Sequence, residues 1–277
     1  MLKLFIDFAQ LVVFYVDPAF GWNFKHEDVY DVLYNFQLQN PLKDSGYDSW
    51  LTVFCLLAVV LLGSVGLCGY VALNFKTGRF PYVWPIKLLR FFVAIFFTLF
   101  YVSALSIFLI SFDCDVTGGV KKAYNRRFPD MKCFSGPMFP AGIIGLALSV
   151  GFSVIAFFME QGESDQNPLF TDPLGQPSTQ VAVRNMLGKT CISFLWIVLV
   201  DTSKGLLALI MMCITLFLYL DIIRHLPYYF QAMNYVRGGL YALLAWFSVL
   251  NFLMVYAESK IENNAVLFWV GTPFALG

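Results

Sequence analysis

Two cysteines, Cys114 and Cys133, form the pair whose spacing best suits a defined chemical bond. Each lies beside the end of an apolar segment, and five basic residues separate them. A disulfide would close this loop and join two membrane spans on the oxidising side of a membrane, contributing ~3 kcal/mol. The alternative is two free thiols at the interface. A zinc site is not predicted, because no His lies nearby and two Cys cannot complete a tetrahedral shell.

Residues that could carry catalysis are scarce in this chain. It has two histidines, and neither lies within an apolar segment. An intramembrane enzyme would need a nucleophile with a base, paired acids, or His ligands at depth. The remaining cysteines lie in apolar segments without charged partners, so we expect them to pack rather than react. The acids of the polar loop 160–184 lack the spacing of a calcium-binding loop. The sequence therefore predicts no enzyme activity, no cofactor and no metal.

The elements that position these residues are membrane spans. The chain is 59% hydrophobic and 13% charged, against roughly 25% charged in an average soluble domain. Its formal net charge is zero, which gives no basic surface for nucleic acid. Segments of ~20 apolar residues cross the ~30 Å hydrocarbon layer, and they do so as helices because every backbone polar group must pair internally.

The predicted fold class is therefore all-α, a polytopic transmembrane helical bundle with about six spans. We expect the spans at 50–75, 88–112, 139–159, 181–200, 206–223 and 240–256. Three domains follow: an N-terminal segment at 1–49, the bundle at 50–258 and an apolar stub at 259–277. The stub is too short to cross, and we expect it to begin a further span. A re-entrant segment is the alternative.

The N-terminal segment begins with an amphipathic pattern. Apolar residues recur near helical spacing, with Lys3, Asp7 and Gln10 on the other side. This pattern is typical of a helix that lies in the membrane interface. An ordinary amphipathic helix packed on the bundle fits the same pattern, and both interpretations stay open here.

Small residues indicate where spans approach one another closely. In the first span they recur every four residues at Ser64, Cys68 and Ala72. A longer stripe in the third span comprises Ala141, Gly145, Ser149 and Ser153. We expect helix packing at both, with a backbone-lined substrate path as the alternative for the second stripe.

Strongly polar groups inside the spans are few. Asn251 lies near the middle of the sixth span, and a hydrogen bond to another helix would contribute ~0.6–2 kcal/mol there. Asp201 and Lys204 are interpreted as a turn at the water interface, with an intramembrane ion pair as the alternative. We expect the span interiors to hold no ionisable group, and we interpret Arg184 and Lys189 as part of an amphipathic lead-in to the span at 181–200.

Orientation cannot be taken from the basic residues, which are nearly balanced between the two sides. A disulfide between Cys114 and Cys133 would place their loop outside the cytosol. The loops at 76–90, 160–184 and 224–237 would then be cytosolic. We expect the plasma membrane rather than internal membranes.

Several stretches resemble the TmcB-like polytopic membrane region of very large microbial-eukaryote proteins. They are LFIDFAQLVVFYVDPAFGWN, LISFDCD, MKCF, DQNPLFTDP and HLPYYFQAMNYVRGGLYALLAW. The resemblance covers nearly the whole chain and includes no catalytic motif. It implies a membrane anchor and transducer followed by cytosolic sensor modules such as PAS domains. It also implies that Gln10, Trp22, Cys114, Cys133 and Pro227 are framework residues, and it offers no ligand or substrate.

The predicted function is the membrane core of a larger receptor-like or signal-transducing protein, which anchors and couples extracellular and cytosolic modules. Its expected partners are the lipid bilayer, further domains of the same polypeptide and a second copy in a homo-oligomer. The alternative is a transporter or channel subunit, which predicts ionisable groups or broken helices near the midplane. A midplane cavity lined by Ser103, Ser149 and Asn251 would favour transport, and a solid bundle would favour transduction.

Overall fold

The computed structural model describes residues 2–22, 39–78, 82–115, 123–162, 175 and 179–258. The predicted stub at 259–277 and most of the polar loop before residue 179 lie outside these residues. The chain forms two compact units. We call Leu38–Gly162 the continuous unit, and Met1–Gln37 with Glu163–Gly277 the split unit.

The described residues are almost entirely helical. The helices are α1 (Leu2–Tyr15), α2 (Gln39–Thr77), α3 (Trp84–Phe92), α4 (Tyr101–Leu109), α5 (Met138–Gly162), α6 (Gln180–Leu199), α7 (Lys204–His225) and α8 (Gln231–Glu258). A π-helix, Val93–Leu99, joins α3 to α4, and two 3-10 turns cover Pro18–Phe20 and Ile110–Phe112. The strands β1 (Cys114–Asp115) and β2 (Tyr124–Asn125) form an antiparallel pair.

Five of these helices are long and apolar enough to cross a membrane. They are Ser45–Thr77, Met138–Gly162, Gln180–Leu199, Lys204–His225 and Gln231–Tyr256. A sixth candidate is a bent pair, Trp84–Leu99 with Tyr101–Phe112, whose halves meet at 71°. The predicted all-α class with about six spans is confirmed. The span expected at 88–112 falls within this bent pair, whose break lies at Phe100.

The break has a local cause in the backbone and in aromatic packing. Phe100 leaves the helical region at φ −107° and ψ 25°, and its N–H donates to the Ile95 carbonyl at 2.8 Å. Phe97 and Tyr101, on either side of the break, both stack on Phe152 of α5, with ring centroids 5.0 and 5.3 Å away. The three rings hold the two halves at their angle, and offset-stacked aromatic pairs of this kind contribute ~0.5–1.5 kcal/mol each.

Helix α4 is the core of the continuous unit. Each of its nine residues is buried, and α2 and α5 pack against it. A Cβ added to Gly145 of α5 would lie 2.4 Å from the carbonyl oxygen of Phe108. The α4 and α5 backbones therefore meet at a position that only glycine fits.

A disulfide-closed loop caps one end of the continuous unit. Cys114 and Cys133 are bonded, so the structure contains the predicted disulfide. Asp113 pairs with Arg127 at 3.1 Å, and the Asn125 amide donates to the Ile110 carbonyl at 2.8 Å. These contacts hold the loop against the end of α4.

Helix α1 lies inside the split unit and packs against α8. Every residue from Gln10 to Val16 is buried. Of the two interpretations of the N-terminal pattern, the structure shows the helix packed on the bundle. In the same unit, α7 packs against both α6 and α8.

Candidate functional site

The split unit buries an ion pair between α1 and α6. The Asp7 carboxylate lies 2.8 Å from the Lys189 ammonium, and the two side chains are 16% and 6% exposed. Lys189 is nine residues after Gln180, about 14 Å along α6 at 1.5 Å per residue. This depth is near the middle of a ~30 Å hydrocarbon layer. The expectation that the span interiors hold no ionisable group is therefore wrong for α6.

Polar groups of α8 extend this pair towards one end of the unit. The Tyr241 hydroxyl donates to the Asn185 side chain, one turn before Lys189 on α6. One turn earlier on α8, the buried Arg237 donates to the Tyr228 hydroxyl at 2.5 Å. Its guanidinium also lies 5.3 Å from the centre of the Tyr228 ring. Two cations, Lys189 and Arg237, are thus held in the split unit by polar side chains of α1, α8 and the turn before α8.

The turn between α7 and α8 is fixed by one side chain. Asn234 accepts a hydrogen bond from the Tyr228 N–H at 2.9 Å and donates to the Tyr228 carbonyl at 2.8 Å. The turn starts at Leu226, whose positive φ of 41° is unusual for a residue with a side chain. Pro227 follows and is buried. The sequence resemblance had assigned Pro227 to the framework, and its position in this clamped turn fits that role.

A second charged cluster lies at the same end of the split unit. Asp221 of α7 is almost fully buried and pairs with Arg184 of α6 at 3.0 Å and with His225 at 3.1 Å. The pattern alone could have suggested the pair, since Asp221 and His225 are four residues apart on one helix.

Neutral hydrogen bonds hold the other end of α1. The Tyr15 hydroxyl is hydrogen-bonded to Thr215 of α7 at 2.6 Å. Asn251 of α8 donates to the Tyr15 carbonyl at 2.7 Å and accepts from the Trp22 indole at 2.7 Å. Asn251 thus forms hydrogen bonds outside its own helix, with Tyr15 at the end of α1 and with Trp22, which follows α1 in the chain. Gln10, a second framework residue, is fully buried within α1.

The two small-residue stripes have different surroundings. On α5, Ala141, Ser149 and Ser153 are buried with Gly145, and Ser153 accepts a hydrogen bond from the Tyr101 hydroxyl of α4 at 3.1 Å. On α2, the members differ in exposure: Ser64 is buried, Cys68 is half-buried and Ala72 is exposed. The Ser64 hydroxyl donates to its own helix, at the Val60 carbonyl.

A crevice in the continuous unit is lined by apolar side chains, among them Leu61, Phe97 and Phe152. Neither Ser103 nor Ser149 lines it. The described residues also contain no cluster of three or more His, Cys, Asp or Glu able to hold a metal. The buried ion pair and its polar neighbours are therefore the candidate site.

Five apolar spans, a sixth broken one and charges buried at depth define a polytopic helical membrane protein. The chain is homologous to Tiny macrocysts protein C of Dictyostelium discoideum, at 24% identity over 277 residues. It is also homologous to Tiny macrocysts protein B of the same organism, at 25% identity over 279 residues. The aligned region covers 99% of this chain in both cases, and this confirms the TmcB-like resemblance.

The chain spans about a fifth of the length of these relatives, 20% of protein C and 19% of protein B. No family model matches the chain. No solved structure matches it either.

Proposed function

We propose that this chain is the membrane core of a larger receptor-like or signal-transducing protein, and that α1 is its coupling element. The observation that carries the proposal is the buried Asp7–Lys189 pair, which joins α1 to α6. The relatives support the larger protein, because the similar region is only a fifth of each. The proposal assigns no catalytic chemistry to this region.

A buried ion pair is better suited to a contact that can be broken and re-formed than to one that only adds stability. Removing charges from water costs several kcal/mol per ion, and a well-packed apolar pair is often as stable. Ionisable groups within a membrane are therefore taken as functional by default. The attraction between them is strong at contact and falls as they separate. A small displacement of Asp7 would therefore change the energy of α1 substantially.

The contacts of α1 divide it into a fixed end and a switchable end. Tyr15 at its C-terminal end is held by neutral hydrogen bonds with Thr215 and Asn251. Asp7, two turns earlier, is held by charge. The Lys189 side of this contact continues through Asn185 and Tyr241 into α8, whose Arg237 and Asn234 hold the turn at Tyr228. Breaking the pair would thus alter the contacts of that turn.

Transport is the second candidate function. The broken helix at Phe100 and the buried Lys189 and Arg237 favour it, since both features mark transporter sites. The crevice beside the break argues against it, because that crevice is apolar. The break also lies in the continuous unit, and the buried cations lie in the split unit.

The test is hydrogen–deuterium exchange of the full chain in lipid nanodiscs. We expect Lys189→Met to raise exchange in α1 and also in the turn around Tyr228. The reciprocal swap, Asp7→Lys with Lys189→Asp, should restore both. The matched control is the same swap at Asp201 and Lys204, which should change neither region. Faster exchange confined to α1 would contradict coupling.

A flux assay separates transduction from transport. Proteoliposomes containing the chain should leak protons and monovalent cations no faster than empty liposomes. A flux that depends on the chain and disappears in Lys189→Met would support the transporter instead.

A further inference from the structure

Helix α3 and the π-helix after it form the first half of the broken span. The two halves cannot cross the membrane as one straight helix. The segment that follows the break, Tyr101–Phe112, has 12 residues. Its length is about 18 Å at 1.5 Å per residue, well short of the ~30 Å hydrocarbon layer. The segment before the break, Trp84–Leu99, leaves at 71°. If Tyr101–Phe112 stands along the bilayer normal, the preceding segment therefore runs closer to the membrane plane than to the normal.

The exposed surface of α3 suits a position at the boundary of lipid and water. Three apolar side chains at spacings of four and three residues, Trp84, Leu88 and Phe91, are 59%, 37% and 57% exposed. Lys87 and Arg90 lie beside this apolar face and are also exposed. An in-plane helix with aromatic and aliphatic residues on one face and basic residues along its edge is typical of interfacial binding.

The charges of the sequence around α3 are of one sign. The sequence contains no Asp or Glu between Asp48 and Asp113. Lys76, near the end of α2, is a further exposed basic residue on this side. The basic edge of α3 therefore has no acidic residue nearby in sequence, and its charge is complementary to an anionic surface.

The disulfide indicates which leaflet α3 meets. The N-terminal half of α2 lies at the disulfide end of the unit, because the Trp50 indole donates to the Ile107 carbonyl and its ring is 5.9 Å from Phe128. From Trp50 to Thr77 the helix runs about 40 Å, so α3 follows at the opposite end. Disulfides persist on the extracytosolic side. The α3 end is then cytosolic, where the leaflet carries anionic phosphatidylserine and phosphoinositides.

We propose that α3 is an interfacial helix that binds anionic phospholipid of the cytosolic leaflet through Lys87 and Arg90, with Trp84, Leu88 and Phe91 inserted among the acyl chains. The partner is a membrane surface rather than a soluble phosphate, because the apolar face needs an apolar phase to cover it. This inference does not depend on the proposed signalling function.

The experiment measures fluorescence quenching of Trp84 by brominated lipids, with the full chain in phosphatidylcholine nanodiscs. Subtracting the signal of the Trp84→Phe variant isolates the Trp84 contribution. We expect brominated phosphatidylserine to quench at a lower mole fraction than brominated phosphatidylcholine. Each basic residue near an anionic surface contributes about 5-fold, so two give about 25-fold at low salt. The preference should shrink as salt is raised.

Charge variants assign the preference to α3. Lys87→Gln with Arg90→Gln should make the two quenching curves coincide, and Lys87→Arg with Arg90→Lys should leave the preference intact. The matched control is Lys204→Gln with Arg224→Gln, which removes two exposed positive charges from α7 and should keep the preference. Coincident curves in the unmodified chain would overturn the proposal, and so would an equal loss in the control.

Competition by a soluble headgroup distinguishes binding to a membrane surface from binding to a free phosphate ester. Glycerophosphoserine should not reverse the quenching by brominated phosphatidylserine. If it competes, Lys87 and Arg90 form a site for a free phosphate ester, and the membrane-surface assignment is wrong.

Discussion

The contact between Gly145 and α4 gives the sharpest prediction about stability. Substitution Gly145→Ala adds one methyl group to α5. That carbon would lie 2.4 Å from the Phe108 carbonyl oxygen and 3.3 Å from the Ser111 hydroxyl. The nearest atom belongs to the backbone, so it cannot rotate away as a side chain can. The two helices must separate or shift for the methyl group to fit.

The chain contains a matched control on the same helix. Gly151 has no atom within 4 Å of an added Cβ, so Gly151→Ala changes the helix propensity without creating a clash. Replacing Gly by Ala in a helix interior gains about 1 kcal/mol, and both variants receive this gain. Overpacking costs about 1–3 kcal/mol, and only Gly145→Ala bears that cost. We therefore expect Gly145→Ala to be less stable than Gly151→Ala by about 1–3 kcal/mol.

Thermal unfolding of the purified chain in one detergent provides the assay. At roughly 2–4 °C per kcal/mol for a chain of this size, the two variants should differ by several degrees. Gly145→Val and Gly151→Val should widen the difference, because two more carbons enter the same gap. Equal melting temperatures for the two Ala variants would refute the close approach of α4 and α5.

Three further predictions address the other contacts. Asn234→Leu leaves the N–H and carbonyl of Tyr228 without their partner and should cost about 1–3 kcal/mol for each buried group in chemical unfolding; an unchanged midpoint would show that the turn does not need this clamp. Cys114→Ser should cost ~3 kcal/mol; in intact cells, an impermeant maleimide should label Cys114 and Cys133 of the unmodified chain only after reduction, and labelling that requires permeabilisation would invert the topology. Asn251→Ala removes the donor to the Tyr15 carbonyl and should cost about 1–3 kcal/mol in chemical unfolding; an unchanged midpoint would show that the end of α1 does not need this hydrogen bond.

The spans can be predicted well from the sequence, because the length of an apolar segment decides whether it can cross the membrane. Ser45–Thr77 and Met138–Gly162 contain the predicted spans 50–75 and 139–159. The cysteine pair was also predictable, since both residues flank span ends and few other partners exist. The break at Phe100 was not predictable, because the run from Val93 to Tyr101 is apolar apart from the Thr98 and Tyr101 hydroxyls and contains neither Pro nor Gly.

The buried ion pair was missed because its two halves are far apart in sequence. Asp7 looked like the polar side of an interfacial helix, and Lys189 looked like part of an amphipathic lead-in. Each becomes a core residue only when α1 packs beside α6. No local pattern records a pairing across 182 positions.

The small-residue stripes show a second limit of sequence patterns. The stripe that includes Gly145 meets the backbone of α4, whereas Ala72 in the matching stripe of α2 is exposed. Both follow the same four-residue spacing. The pattern shows that a close approach is possible, but which helix uses it depends on the fold.

The insertion of α1 between distant helices also sets the order of events during synthesis. Tyr15 bonds to Asn251, a residue made 236 positions later. At a synthesis rate of ~5–20 residues per second, roughly 10–50 s pass between the synthesis of α1 and that of Asn251 in α8. For most of that interval Asp7 has no Lys189, because Lys189 is made 182 positions after Asp7, and a 14-residue helix is too short to cross the bilayer. We expect α1 to lie at the membrane surface until then and to pack against α8 last.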